Sequence, residues 1–315
     1  MKMDLTTIIL TYNEELHIRR CLKNVCPFSK RVIVIDSPSI DRTAEICSEF
    51  DNVEVVVHKY PGNQAEQFNW ALDNIKIDTE WILRVDADEY CEPEFIEELQ
   101  TKLPNLDQSV SAVVVPIGRE FMGRRLRHGI VNGVCLTRLI RNGKCRYELR
   151  LMDEYLKILE GTTVRFEHSI IDASRIGIKS FVEKHNNYSS REASLLLDSE
   201  YGLCEYSENA ENENPDYAKE VAAKRRQKAR YAKMPLFWRS FGYFIYRYVV
   251  KLGFLDGWEG FCWDFFQGLW YRMLVDAKVY EVKKNCGLLK KKEGLTQQEK
   301  YDVKKYIKQY WNINL

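Results

Sequence analysis

Four short apolar runs separated by amphipathic segments, with no glycine before Gly62, constrain this chain more than any other feature of its 315 residues. Leu5–Leu10, Arg31–Ile35, Val53–Val57 and Trp81–Val85 have the length of strands and the nearly continuous apolar character of strands covered on both faces. Between them, Glu14–Leu22 carries Leu16, Ile18 and Leu22 at helical spacing, Asp41 can cap a helix running through Phe50, and Gln64–Ile75 turns Phe68, Ala71 and Leu72 inward. This alternation predicts an α/β fold, a mostly parallel sheet with helices on both faces. Ligands of such sheets bind beyond the carboxyl ends of the strands. Those ends carry polar clusters: Thr11-Tyr12-Asn13-Glu14, Asp36-Ser37 and Asp86-Ala87-Asp88. A G-x-G-x-x-G turn or a Walker-type loop needs glycines that the first strand lacks, which excludes a dinucleotide fold and a P-loop. Any nucleotide bound here must be gripped by side chains, with a metal to neutralise its phosphates.

The run Trp81–Val85 closes on Asp86-Ala87-Asp88-Glu89. Residues two apart in extended chain point the same way, so Asp86 and Asp88 can face one ligand. Paired carboxylates suit Mn2+ or Mg2+, which keep waters and substrate phosphates as further ligands. Asp88 stands farther out and is the expected direct metal ligand, with Asp86 the expected contact to ribose or to a water on the metal. The structural alternative is a capped turn, in which Asp88 or Glu89 opens a helix at Pro93-Glu94. Asp36 likewise has two readings. An ionised carboxylate is a pure acceptor and suits a pyrimidine N–H, but an Asp here can also anchor an Asx-turn into Ser37-Pro38.

Four segments in order, Leu10-Thr11-Tyr12-Asn13-Glu14-Glu15, Val34-Ile35-Asp36-Ser37-Pro38-Ser39-Ile40-Asp41-Arg42-Thr43, Gln64-Ala65-Glu66-Gln67-Phe68-Asn69-Trp70-Ala71-Leu72 and Val85-Asp86-Ala87-Asp88-Glu89, resemble family 2 glycosyltransferases of GT-A fold. Within that family the chain is most similar to the bacterial lipopolysaccharide-core branch of WaaE/KdtX-like glucosyltransferases. The resemblance implies that Thr11, Asn13, Glu14 and Asp36 surround a nucleotide base and ribose, that Gln67 and Asn69 line the same cleft, and that Asp86 and Asp88 form a DXD pair for metal and diphosphate. Tyr12, within the first segment, and Arg84, just before the last, join the expected nucleotide-sugar-binding set. Pro38, Ile40 and Arg42 depart from the usual wording of the second motif and stiffen its turn.

The activity implied by the resemblance is an inverting, metal-dependent transfer of a hexose from a nucleoside-diphosphate sugar, expected to be a UDP-sugar, to a hydroxyl of a cell-surface glycan or glycolipid precursor. Such a hydroxyl needs a general base within hydrogen-bond reach. The resemblance implies a carboxylate beyond the first region, and Met152-Asp153-Glu154 stands where that motif belongs, with Glu154 the expected base and Asp153 its rival. It comes after a hairpin signalled by Asn142-Gly143 between Leu136–Arg141 and Lys144–Glu148. The competing readings are a phosphatase-like enzyme, a sugar-nucleotidyltransferase and a catalytically inactive membrane-associated scaffold. The first expects D-x-D after the first strand and the second a Gly-rich loop there; neither is present.

The formal charge of +1 gives no support for a nucleic-acid partner. The nine cysteines include no C-x-x-C pair and read as reduced, packed thiols of a cytoplasmic protein. The start of the chain runs straight into a strand and shows no export signal, and no apolar stretch reaches the length of a membrane span. The five histidines form no zinc pattern. His168 and Asp172 have the spacing of one helix face, and His185-Asn186-Asn187-Tyr188 is similar to a segment of the same branch, expected on the acceptor side. The chain divides into four expected regions: 1–117 for the nucleotide sugar, 118–206 for acceptor and catalysis, a linker at 207–217, and a basic, aromatic, helical 218–315. The stretch Tyr231–Tyr280 holds 17 of 39 aromatic residues, interleaved with cations, which suits peripheral contact with the inner membrane surface or an oligomer contact.

Overall fold

Successive residues of β1 (Met3–Thr11) point to opposite faces of a sheet, and both faces are dry. Leu5 and Ile9 join one apolar cluster while Ile8 and Leu10 join another. The same division runs through β2 (Ser29–Asp36), where Val32 and Val34 face the first cluster and Ile33 and Ile35 the second, and through β4 (Trp81–Arg84), where Trp81 and Leu83 oppose Ile82. Helix α1 (Ile18–Val25) covers the first face through Ile18, Cys21, Leu22 and Val25, and α3 (Gln64–Asn74) covers the second through Phe68 and Ala71. The chain is seen as a computed structural model that describes residues 2–131, 134–148, 156–203, 222–223, 226–227, 229–291 and 294–315. The described residues form two compact units, one ending at Arg175 and the other beginning at Ile176.

In the first unit β3 (Val53–Val57), β2, β1 and β4 run parallel, as the alternation predicts. Beyond them the sheet turns mixed. Strand β8 (Cys135–Arg141) lies antiparallel between β4 and β6 (Val110–Phe121). Strands β11 (Thr162–Arg165) and β12 (Ile170–Asp172) run parallel to β6, and β5 (Glu89–Cys91) and β7 (Arg124–Leu126) antiparallel to β12 and β6. Positions 117 and 118, expected to separate two regions, lie inside β6. The remaining helices are α2 (Thr43–Cys47), shorter than the span through Phe50, and α4 (Pro93–Lys102), with Pro93 at its start and Glu92 at its N-cap. Asp88 and Glu89 therefore do not cap that helix, because β5 intervenes.

Two other local readings change. The Asn142-Gly143 turn forms, with Gly143 at φ 78° and Lys144 N–H donating to the Arg141 carbonyl, but its arms do not pair as a hairpin. Strand β9 (Cys145–Tyr147) leaves to form a separate two-stranded sheet with β10 (Leu156–Ile158). His168 and Asp172 share no helix. His168 binds Glu98 at 3.0 Å, and Asp172 in β12 pairs with Arg119. The eight described cysteines are free thiols, six of them buried, and burial pushes Cys47 and Cys145 up to about 12 and Cys26 to about 11.

The second unit is helical. Helix α5 (Ile178–Tyr201) ends on Gly202, whose φ of 59° supplies the left-handed stop. Helix α6 (Trp238–Ile245) continues as a π turn over Tyr246–Val250, and a 3-10 turn at Gly253–Asp256 leads into α7 (Gly257–Trp263). A second π segment, Asp264–Trp270, joins α8 (Tyr271–Asn285), and α9 (Gln297–Trp311) opens with a Thr296/Glu299 capping box. Ala193, Leu197, Val275, Val279, Val303 and Ile307 make its apolar core. The Lys278 ammonium ties α8 to α5 by donating to Asn186, Ser189 and Ser190 at 2.7–2.8 Å. His185 lies within α5, its ring nitrogens bonded to the Phe181 carbonyl and to Gln267. The expected linker at 207–217 lies outside the described residues.

Candidate active site

The register of the parallel strands brings the polar clusters together. Thr11 is opposite Asp36, Ile8 is opposite Arg84, and the β1–β4 ladder continues through Val85 N–H to the Ile8 carbonyl. The loop after β1 and the loop after β2 are then sewn to each other without glycine. Asn13 takes the left-handed conformation, φ 55°, which asparagine tolerates better than most residues. Its N–H donates to Ser39 Oγ at 2.8 Å, and its Oδ1 accepts the Ile40 N–H at 2.9 Å. The Glu14 N–H donates to Thr43 Oγ1, and the Glu15 N–H to Asp41. Glu14 Oε2 accepts from His17 Nδ1 at 2.7 Å; because the Arg175 N–H occupies Nε2, the His17 proton resides on Nδ1. Tyr12 stands exposed beside this seam.

Asp36 is buried and anchors the turn after β2, but through the Ser39 N–H three residues on rather than as an Asx-turn, because Pro38, two residues on, has no N–H to give. Its Oδ1 accepts from Thr11 Oγ1 at 2.8 Å and Ser39 Oγ at 2.6 Å, and its Oδ2 from the Ser39 N–H at 2.9 Å. Three of the roughly four acceptor positions of a carboxylate are thus used, and the remaining capacity lies on Oδ2. Gln67 and Asn69 act as braces. Gln67 is buried, accepts from His58 Nδ1 at 2.7 Å and donates to the His58 carbonyl and Ser37 Oγ. The Asn69 amide exchanges two hydrogen bonds with the Tyr147 backbone, at 2.9 and 3.0 Å, and so fixes β9 against α3.

At the end of β4 exposure alternates: Asp86 and Asp88 are half-buried, while Ala87 and Glu89 are buried. Both carboxylates reach solvent, but not from the extended chain expected: Ala87 and Asp88 form a turn closed by the Glu89 N–H on the Asp86 carbonyl at 2.9 Å. Their backbone is held from behind. The Asp86 N–H donates to Glu89 Oε2 at 2.9 Å, and the Asp88 carbonyl accepts from Arg20 at 2.7 Å and from the Ala173 N–H at 3.0 Å. A hard, two-carboxylate donor set on a fixed backbone fits Mn2+ or Mg2+ completed by ligand oxygens. Among the described residues no group of three or more His, Cys, Asp or Glu side chains could hold an ion alone. Asp153 and Glu154 lie outside the described residues.

Two arginines sit under the pair. Arg84 reaches Asp86 Oδ1 at 3.6 Å, is held by Gln64 at 3.0 Å and lies 4.8 Å from the Tyr147 ring. Arg138, from β8, bridges Asp86 Oδ2 at 3.3 Å and Glu89. Burial opposes the Arg138 charge, but Glu89 and Asp86 outweigh it and hold the guanidinium cationic. Burial raises the Glu89 carboxyl, with Arg138 opposing. Arg138 and Gln64 were missed from sequence. The available signal was a charge in the middle of the apolar run Leu136–Arg141, at a position a strand would bury.

A family model described as Glycosyl transferase family 2 matches residues 6–168. The chain is similar to the SPbeta prophage-derived glycosyltransferase SunS of Bacillus subtilis (strain 168), 27% identical over 229 residues, which are 69% of this chain and 48% of that protein. It thus spans about half the length of that relative. Among solved structures it is similar to S. aureus TarS 1-349 in complex with UDP, at 14% identity and TM-score 0.44 over 91% of this chain and 92% of that one. Glucosyl-3-phosphoglycerate synthase from Mycobacterium tuberculosis, in complex with Mn2+, UDP and glucosyl-3-phosphoglycerate, matches at 19% identity and TM-score 0.30 over 37% of this chain and 44% of that one.

Proposed function

The chain belongs to glycosyl transferase family 2, and from that premise we propose that it moves a hexose from a UDP-sugar, with inversion, to a hydroxyl of a cell-surface glycan or glycolipid precursor. The observation that carries the proposal is the half-exposed Asp86–Asp88 pair beside the stitched, glycine-free loops of β1 and β2. Within the family, the four matching segments support the lipopolysaccharide-core branch.

In this reading Thr11, Asn13, Glu14 and Asp36 surround base and ribose, Asp36 through its remaining Oδ2 capacity, and Tyr12 offers a ring for stacking on the base. Gln67 and Asn69 position those groups from behind. Arg84 and Arg138 orient Asp86. Asp88 and Asp86 would hold Mn2+ or Mg2+, whose chemistry there is to neutralise charge gathering on the departing diphosphate. Glu154, or Asp153 beside it, takes the proton of the acceptor hydroxyl. A single displacement by that hydroxyl on the anomeric carbon, opposite the departing diphosphate, gives inversion.

A hydrolysis screen of nucleotide sugars with Mn2+ tests the proposal without knowledge of the acceptor. One UDP-sugar should release UDP slowly, and UDP with Mn2+ should raise the melting temperature. Asp88→Asn should remove that metal-dependent shift and cut turnover by ~10²-fold or more. Glu154→Gln should abolish transfer with donor binding nearly intact. If no nucleoside diphosphate with metal shifts the melting temperature, the transferase reading fails and an inactive scaffold replaces it.

A further inference from the structure

Helix α6 and its π turn are built inside out. The inward side carries Arg239, Ser240 and Arg247, all buried. Arg239 Nε donates to Asp276 Oδ1 at 2.8 Å, Ser240 Oγ donates to Asp276 Oδ2 at 3.1 Å, and Arg247 Nε donates to Asp264 Oδ1 at 2.7 Å. The outward side carries Trp238, Phe241, Ile245 and Val249, spaced three and four apart as one helical stripe, and all are exposed. Leu255 and Trp258, further along the chain, are exposed as well, with Trp238 77% and Trp258 80% exposed. A helix in water places its charges outward; this one buries its arginines beside the half-buried Tyr243, Phe244 and Tyr248 and leaves a second set of large apolar side chains outside. Such an outer face is at rest only against an apolar medium.

Charge identifies that medium. From Ala222 to Trp258 the sequence holds a single acid, Asp256, and it is buried; the half-buried Glu259 follows in α7. The exposed charges described over the same stretch are Arg226, Arg230, Lys233 and Lys251, all cationic. Packed on a second copy about a two-fold axis, this surface would set four exposed cations near their own kind with only the half-buried Glu259 to pair them. An anionic lipid surface offers both apolar depth for the stripe and negative headgroups for the cations. Exposed Trp side chains suit that boundary, since their rings bury one edge and keep the N–H wet. Among the described residues no helix is long and apolar enough to cross a membrane, so contact is with one leaflet.

We infer that the outer face of α6 and α7, from Trp238 to Trp258, docks on an anionic phospholipid surface, with the aromatic stripe in the headgroup layer and the flanking cations on lipid phosphates. The inference stands on the second unit alone and does not depend on the transferase reading.

Co-sedimentation of the full chain with vesicles decides it. Vesicles of equal phosphatidylcholine and phosphatidylglycerol should bind at least ~10-fold more protein than phosphatidylcholine alone, and rising salt should erode the difference. Trp238→Ser with Trp258→Ser should lower binding to the mixed vesicles by ~10-fold or more. Circular dichroism should stay unchanged, because neither residue is buried. Lys233→Glu with Lys251→Glu should lower only the anionic preference, which keeps the test open if the tryptophan pair misfolds. Equal weak binding to both vesicle types, or wild-type binding by both double variants, would overturn the inference. So would a solution mass of two chains that the tryptophan substitutions reduce to one, since the face would then belong to a second copy.

Discussion

In the first unit Arg138 and Glu89 are sealed beneath two half-exposed carboxylates, whereas in the second Arg239–Asp276 and Arg247–Asp264 are sealed beneath exposed tryptophan, phenylalanine and isoleucine. The buried device is the same, an arginine matched to an acid, yet the outer layers are opposite. A buried ion pair is weak evidence for stability, because the desolvation cost of both charges offsets their attraction. What the pair does is fix the layer above it. In one unit that layer is polar and arranged to hold charged ligand oxygens. In the other it is apolar, and holding the charges inward leaves a second set of large side chains outside.

The comparison breaks most directly if the two kinds of pair are not equally necessary. Arg138→Met and Arg239→Met each leave a buried carboxylate without its cation, and each should cost about 3–5 kcal/mol in denaturant unfolding. Only the first should also weaken UDP–Mn2+ binding; a loss of that binding in both variants would erase the distinction between the layers. A narrower probe is Gly253→Ala. A Cβ there would collide with Asp264 Oδ2 and stand 3.1 Å from the Arg247 carbonyl, so the buried Arg247–Asp264 pair must shift. The expected cost is about 1–3 kcal/mol, read as a lower melting temperature with UDP binding unchanged.

In the first unit, Asn69→Ala removes the two bonds to the Tyr147 backbone. It should cost about 1 kcal/mol and loosen β9, seen as faster hydrogen exchange at Tyr147. The smallest effect belongs to α9. Lys291 and the Thr296 N–H and hydroxyl hold the Glu299 carboxyl down at about 2. Its folded value lies below its unfolded one, so this stabilisation is complete above the unfolded value near 4.5 and disappears as pH falls towards about 2. An NMR titration should show α9 losing its N-terminal cap in that window.

The four parallel strands were legible in the sequence to within a residue or two, because an apolar run two-faced by burial has few other homes and the intervening segments carry helical spacing. Asp86 and Asp88 were legible as a pair at the end of the fourth strand, but the chain turns at Ala87-Asp88, with the Glu89 N–H on the Asp86 carbonyl, where an extended segment was expected. Gln67 and Asn69 were legible as important but not in what they do: they spend their amides on His58 and Tyr147, partners that the fold brings close and no local pattern announces. The insertion of β8 between β4 and β6, and the departure of β9 to pair with β10, depend on long-range strand choice that no local period encodes. The inverted polarity of α6 was hidden likewise. Aromatics and cations lie on most faces of that segment, and the acids that draw its arginines inward stand 17 and 37 residues further along.

That insertion of β8 has a consequence for any attempt to isolate the donor half. A fragment ending at residue 117 would contain the four segments that carry the resemblance, Leu10 to Glu89, and yet would lack Arg138. It would also leave β4 as an open edge, with the amides and carbonyls of Trp81, Ile82 and Leu83 searching for a partner strand. Cut there, the chain would keep those segments and expose a strand edge that pairs with other chains, so shuffling or splitting this protein has to carry the antiparallel strand along with the motifs it shelters.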